Sequence, residues 1–118
     1  MKKLRAGIFG LGHLGKIHLK VLKEICNERN DIEIAGIFDS NNESNASISE
    51  ENNFSVNNSA DELIGKIDIA IIVTPTSSHY ELAYKTISAG INTFIEKPVT
   101  DTTEEANKLL KLAEGKDV

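Results

Sequence analysis

The sequence has 118 residues, a length that suits one domain and leaves no room for a two-domain enzyme. With 40% hydrophobic and 26% charged residues it has the composition of a folded globular chain, and a net charge of −5 argues against nucleic acid or an anionic membrane as the main partner. Its single cysteine, Cys26, excludes an internal disulfide and an all-cysteine metal site, and suits a reducing, cytoplasmic setting.

Apolar runs alternate with amphipathic stretches along the whole chain, the pattern of successive strand–helix–strand units in a parallel sheet. Residues 4–9 read as a buried first strand. Leu14, Ile17, His18, Val21, Leu22 and Ile25 then recur at helical spacing, with Lys16, Lys20, Lys23 and Glu24 opposite them. Asn30-Asp31 makes a turn, and residues 33–38 form a second strand. From Ser40 to Ser59 the chain turns polar, with seven Asn and five more Ser between Asn41 and Ser59. This stretch predicts a weak helix within 43–50 and a brief strand near 54–56.

Three later helices open on a hydroxyl residue with Glu three places on, the capping-box pattern: Ser59 with Glu62, Ser78 with Glu81 and Thr102 with Glu105. The first helix is short and ends near Gly65. Residues 68–73 hold the most apolar run, Ile69-Ala70-Ile71-Ile72-Val73, and so a central strand. That run is far short of the ~20 apolar residues a membrane span needs. The second helix covers 80–89 and stops at Gly90, a natural left-handed terminator. A fifth strand follows at 92–95. The third helix turns Ala106, Leu109, Leu110 and Ala113 to one face and ends at Gly115, before what reads as the start of a sixth strand that is missing. The residues after Met1 imitate a signal peptide only faintly, because glycines interrupt the apolar run and no cleavage site follows.

Gly10-Leu11-Gly12-His13-Leu14-Gly15 is a G-x-G-x-x-G in the context that gives the pattern meaning, with a strand before it, a helix after it and a second strand ending in an acid. Gly10 makes the tight turn, Gly12 lets the backbone approach a pyrophosphate, and Gly15 lets helix and strand pack closely. Free N–H groups near His13 and Leu14 face the phosphates with the helix dipole behind them. Asp39, with Ser40 beside it, is placed for the adenosine ribose, where a carboxylate accepts from the hydroxyls and repels a 2′-phosphate. No Arg or Lys follows closely in sequence, so NAD is favoured, with NADP the alternative. The predicted fold is α/β: a three-layer, doubly wound parallel sheet of Rossmann type with strand order 3-2-1-4-5. His18 is expected to be a packed, hydrogen-bonded histidine, and Cys26 a core-side filler on the same helix.

Residues Gly7 to His18, then Thr74-Pro75-Thr76-Ser77-Ser78-His79, Ala89-Gly90 and Glu96-Lys97-Pro98, resemble the Gfo/Idh/MocA family of NAD(P)-dependent oxidoreductases. The resemblance spans the chain but covers only the family's N-terminal, cofactor-binding half. It implies that Thr74, Pro75 and His79 line the cofactor near its nicotinamide ribose, that Glu96 approaches that ribose, and that Lys97 is catalytic, reaching a substrate hydroxyl. It also implies a cis bond before Pro98. A cation near a developing alkoxide stabilises it, which suits Lys97. Glu96 and Lys97 point to opposite faces of their strand, so they need not pair with each other.

The expected function is the cofactor-binding part of an oxidoreductase that moves hydride between a nicotinamide and a hydroxyl-bearing carbon of a sugar, nucleotide-sugar or cyclitol. On its own the chain is expected to bind cofactor and to turn nothing over, because the small-molecule substrate needs the absent C-terminal domain, where the resemblance puts the catalytic histidine. An NAD(H)-sensing module without chemistry is the alternative, disfavoured by a lysine at the hydride end. A glycine-turn methyltransferase would not call for Thr74-Pro75 and Glu96-Lys97-Pro98 together. Homo-oligomers are left open, since an exposed fifth strand would invite pairing between chains.

Overall fold

In the computed structural model, which describes residues 2–52 and 57–118, short apolar runs become parallel strands because helices cover them on both faces. Strand β1 (Leu4–Phe9) leads to helix α1 (His13–Glu28) and strand β2 (Ile32–Phe38). Helices α2 (Asn42–Asn52) and α3 (Ala60–Ile64) precede strand β3 (Ile69–Ile72). A 3₁₀ turn at Thr76–Ser78 runs into helix α4 (His79–Ser88), followed by strand β4 (Asn92–Ile95) and helix α5 (Thr103–Lys116).

Among the described residues the sheet has four strands in the order β2-β1-β3-β4, all parallel. This is the expected order without the third predicted strand, whose residues 54–56 lie outside the described residues. The chain crosses from β1 outward to β2, and later from β3 outward to β4 on the other side, so β1 and β3 flank the switch point. Register then does something useful. Phe9 pairs with Phe38 and with Ile72, and Ile72 pairs with Ile95. The carboxyl ends of all four strands therefore stand level, and the residues that follow them share one edge.

Each sheet face has its own core. Ala6, Ile8, Leu11 and Ile37 pack with Leu19 and Leu22 of α1 and Ile48 of α2. Phe9, Ala70 and Ile72 pack on the opposite face with Leu63, Ala83, Ile87 and Leu109. Alternation along β1 divides Ile8 from Phe9 between these layers, as the period of two requires. At about 1.5–3 kcal/mol for each large apolar side chain removed from water, the two layers supply the main stabilising force.

Helix α1 departs from its predicted face. Leu19 and Leu22 are buried, while Leu14, Ile17, Val21 and Ile25 remain exposed, as does Phe94 on β4. Helical spacing reveals an apolar stripe but not what covers it. Two of the three predicted caps form: Ser59 Oγ accepts from Glu62 N–H and Thr102 Oγ1 from Glu105 N–H, each at 3.1 Å. The third does not, because the 3₁₀ turn has already coiled the chain at Ser78, whose hydroxyl donates instead to the Pro75 carbonyl at 2.9 Å. Gly90 ends α4 at φ 76°, as expected. Helix α5 passes through Gly115 and ends at Asp117, the left-handed residue at φ 59°.

Across the amino ends of β1 and β3, the Arg5 guanidinium grips Asp68 through Nε at 3.2 Å and Nη2 at 3.1 Å, and Arg5 N–H adds a third bond at 2.9 Å. The guanidinium, first of all, holds the Asp68 carboxyl near 2, below its ordinary 3.8. A depressed carboxyl stabilises the fold above its unfolded-state value, and that support disappears as pH falls from about 4 toward 2. Asp68→Asn should therefore lower the melting temperature at neutral pH by a few degrees and flatten its decline across that acid window. Thermal melts with an unchanged acid limb in the variant would count against the assignment.

Candidate functional site

Because the strand ends are level, Gly10, Asp39, Val73-Thr74 and Glu96 come together along one edge of the sheet. Gly10 takes φ 105°, and a Cβ there would stand 2.7 Å from the backbone of Val73 and Thr74. The turn thus lies directly against the end of β3, a closeness only glycine permits. A Cβ on Gly15 would sit 2.0 Å from the Gly10 carbonyl oxygen, so this glycine seats α1 against the turn. Gly12 differs: a Cβ there would meet nothing within 4 Å.

Gly12 is also the N-cap of α1. No side chain caps that helix start, and no acidic residue lies in its first turn, where His13 and Leu14 are exposed. The first N–H groups of the helix point outward with the positive end of the dipole behind them, which is the chemistry of an anion site.

Asp39 helps to shape this turn. Its Oδ2 accepts from Leu11 N–H at 2.6 Å and its Oδ1 from Asn41 N–H at 2.8 Å, which ties the glycine loop to the end of β2. Asn45, nearly fully buried, brackets Asp39 in turn: its Oδ1 accepts from Asp39 N–H at 2.8 Å, and its amide donates to the Asp39 carbonyl. Sequence reading missed Asn45, one asparagine in a run of them. The signal available was its position, six residues past the acid and one turn into a helix.

Beside this bracket is a cavity of about 250 Å³ lined by Phe38, Asp39, Ser40, Thr74, Pro75 and Lys85. Lys85 comes from α4, a cation that adjacency in sequence did not reveal, and its Nζ lies 3.4 Å from Asp61 Oδ1. Thr74 Oγ1 is buried and has no hydrogen-bond partner among the described residues. A larger cavity, about 370 Å³, lies away from the strand ends, between α1 and Ile48, with three lysines along it.

At the other end of the edge, Glu96 follows β4. Its Oε2 lies 2.9 Å from His18 Nε2, and its Oε1 accepts from Lys97 N–H at 3.3 Å. The His18 contact, more than any other group, lowers the Glu96 carboxyl below its ordinary value. The carboxylate therefore goes to the histidine and not to the Lys97 ammonium, which is exposed and has no ion-pair partner among the described residues. The Lys97-Pro98 bond is cis. His79 sits beneath this loop, 1% exposed, with Nε2 at 2.8 Å from the Thr74 carbonyl oxygen and Nδ1 at 2.9 Å from that of Pro98. It binds the two loops together and turns no ring nitrogen toward the cavity. Cys26 lies on α1 away from the edge, partly buried, and burial pushes its thiol up. Among the described residues, no three His, Cys, Asp or Glu side chains gather as a metal site, and no helix is long and apolar enough to cross a membrane.

Residues brought together here fit a dinucleotide. An uncapped helix start and an open Gly12 form a surface suited to an anion, Asp39 and Ser40 border a cavity of nucleoside size, and Thr74 lines the same cavity. Comparison with known proteins agrees. The chain is 38% identical over 114 residues to UDP-N-acetylglucosamine 3-dehydrogenase of Acidithiobacillus ferrooxidans, covering 97% of this chain and 34% of that protein. It is 28% identical over 116 residues to the rhizopine catabolism protein MocA of Rhizobium meliloti, covering 97% and 35%. The solved structure of the Acidithiobacillus enzyme superposes with a TM-score of 0.89 at 36% identity, covering all of this chain and 37% of that one. The chain spans about a third of the length of these relatives. The model of the oxidoreductase family's NAD-binding Rossmann fold matches residues 4–118, and the chain belongs to that family, Gfo/Idh/MocA.

Proposed function

We propose that this chain is the NAD-binding part of a dehydrogenase that acts on a hydroxyl-bearing carbon of a sugar, nucleotide-sugar or cyclitol, with the substrate pocket supplied by a further domain. The observation that carries the reading is the level edge at the switch point, where the glycine turn, Asp39, Thr74 and Glu96-Lys97 face one another. The similarity to a nucleotide-sugar dehydrogenase supports the substrate class, and the shared third of its length supports a second domain. The lone Cys26 suits the reducing cytoplasm in which we place the protein.

In this reading the N–H groups at His13, Leu14 and the glycine turn hold the pyrophosphate. Asp39 and Ser40 take the adenosine ribose, Thr74 and Pro75 line the middle, and Glu96 and Lys97 border the nicotinamide end, with His79 holding that end together. Bound NAD supplies the hydride acceptor. Lys97 contributes a cation where a substrate hydroxyl would lose its proton, and its exposed ammonium is free to turn toward that group.

NAD is preferred over NADP because Asp39 presents a carboxylate to the ribose edge, while Lys85, across the same cavity, is occupied by Asp61. Calorimetric titration should show NAD binding at least ~10-fold more tightly than NADP, and Asp39→Asn should narrow that gap. Equal or tighter NADP binding by the wild-type chain would refute the preference.

A further inference from the structure

We propose that His18 is a positioning residue for the nicotinamide end of the site, acting through Glu96 on the loop that carries Lys97. This rests on the cofactor reading above and adds a residue to it. His18 stands on α1, just under one turn past the last glycine of the phosphate turn, yet its partner is 78 residues away, at the end of β4. The ring is fixed on two sides. Its Nε2 holds Glu96 Oε2 at 2.9 Å, and it meets Phe94 edge-on with centroids 5.5 Å apart.

Glu96 passes this constraint on. With one carboxylate oxygen on His18, the other is left for the Lys97 backbone N–H at 3.3 Å. The helix that starts at the phosphates is thereby linked, through one imidazole and one carboxylate, to the backbone of the lysine at the far end of the site. Both side chains are about three-quarters buried, so the link is shielded from competing water and neither group is a freely rotating surface residue. The link also settles where the Glu96 charge goes. Without His18, the carboxylate can swing toward the Lys97 ammonium one residue away and neutralise the cation the site presents. Phosphates and adenosine, held by the other half of the edge, do not depend on it.

The test compares NAD⁺ with ADP, which shares the adenosine and both phosphates but lacks the nicotinamide and its ribose, by calorimetry on the full 118-residue chain. His18→Phe keeps the packing on Phe94 and removes Nε2. It should weaken NAD⁺ binding by ~3- to 10-fold, the worth of one hydrogen bond, and leave ADP within ~2-fold. His18→Gln, which can place an amide near the same point, should recover most of the loss. Glu96→Gln should show the same selective weakening, and as a near-isosteric change it gives the answer even if His18→Phe folds poorly. Equal weakening of both ligands, no weakening of either, or a His18→Gln variant no better than Phe overturns the role of His18 alone. A wild-type chain that binds neither NAD⁺ nor ADP overturns the cofactor reading and this inference with it.

Discussion

Gly15→Ala should cost the chain its stability, while Gly12→Ala should cost it only its ligand. The two glycines are three residues apart in one motif, but they do different jobs. A methyl group on Gly15 would lie 2.0 Å from the Gly10 carbonyl oxygen, a backbone atom that cannot move without shifting the turn and the end of β1. That is overpacking at its severe end, about 3 kcal/mol or more. For a domain of this size it corresponds to a fall in melting temperature of ~10 °C or more. A methyl group on Gly12 meets nothing within 4 Å and projects into the space above the uncapped helix start. The variant should melt within ~1 °C of wild type, as neutral surface changes do, and bind NAD at least ~10-fold more weakly. Thermal melts and calorimetry on both variants decide the matter. If Gly12→Ala binds NAD as wild type does, the glycine turn is not where the phosphates go.

The second large effect is expected at His79. Its ring is buried and both nitrogens face carbonyl oxygens, those of Thr74 and Pro98. His79→Leu keeps much of the volume, so little cavity forms, but it removes the ring N–H that the neutral imidazole donates to one of these carbonyls, and leaves that acceptor unpaired. At about 1–3 kcal/mol for an unsatisfied buried acceptor, the loss should be about 1–3 kcal/mol. It would be read as a lower urea midpoint at unchanged slope. NAD binding should weaken as well, because Thr74 and the Glu96-Lys97-Pro98 loop lose their common anchor. A midpoint equal to that of wild type would show that the histidine is not the link between these loops.

What could be read from the sequence was whatever a short window encodes. The glycine turn, the apolar run of β3 and the caps at Ser59 and Thr102 each depend on residues within a few positions of one another, and each formed where its pattern predicted. Contacts between distant segments had no such signal. His18 and Glu96 are 78 residues apart, so the sequence could mark His18 as a hydrogen-bonded histidine without naming its partner. Lys85 reaches the cavity beside Asp39 only because α4 packs beside the switch point. Asn45 was hidden by composition, since a polar run does not say which of its amides turns inward to hold Asp39. The apolar stripe of α1 was visible, yet the helix turns Leu19 and Leu22 to the core and leaves Leu14, Ile17, Val21 and Ile25 outward. Periodicity fixes a face, and only tertiary packing chooses its partner.

Amide chemical-shift mapping of the ¹⁵N-labelled chain during titration with NAD tests the central claim most directly. Saturable shifts should appear at residues 10–15, 39–40, 74 and 96–97, with α5 silent. No saturable shifts at millimolar NAD, or shifts gathered instead along Lys16, Lys20 and Lys23 beside the larger cavity, would contradict it.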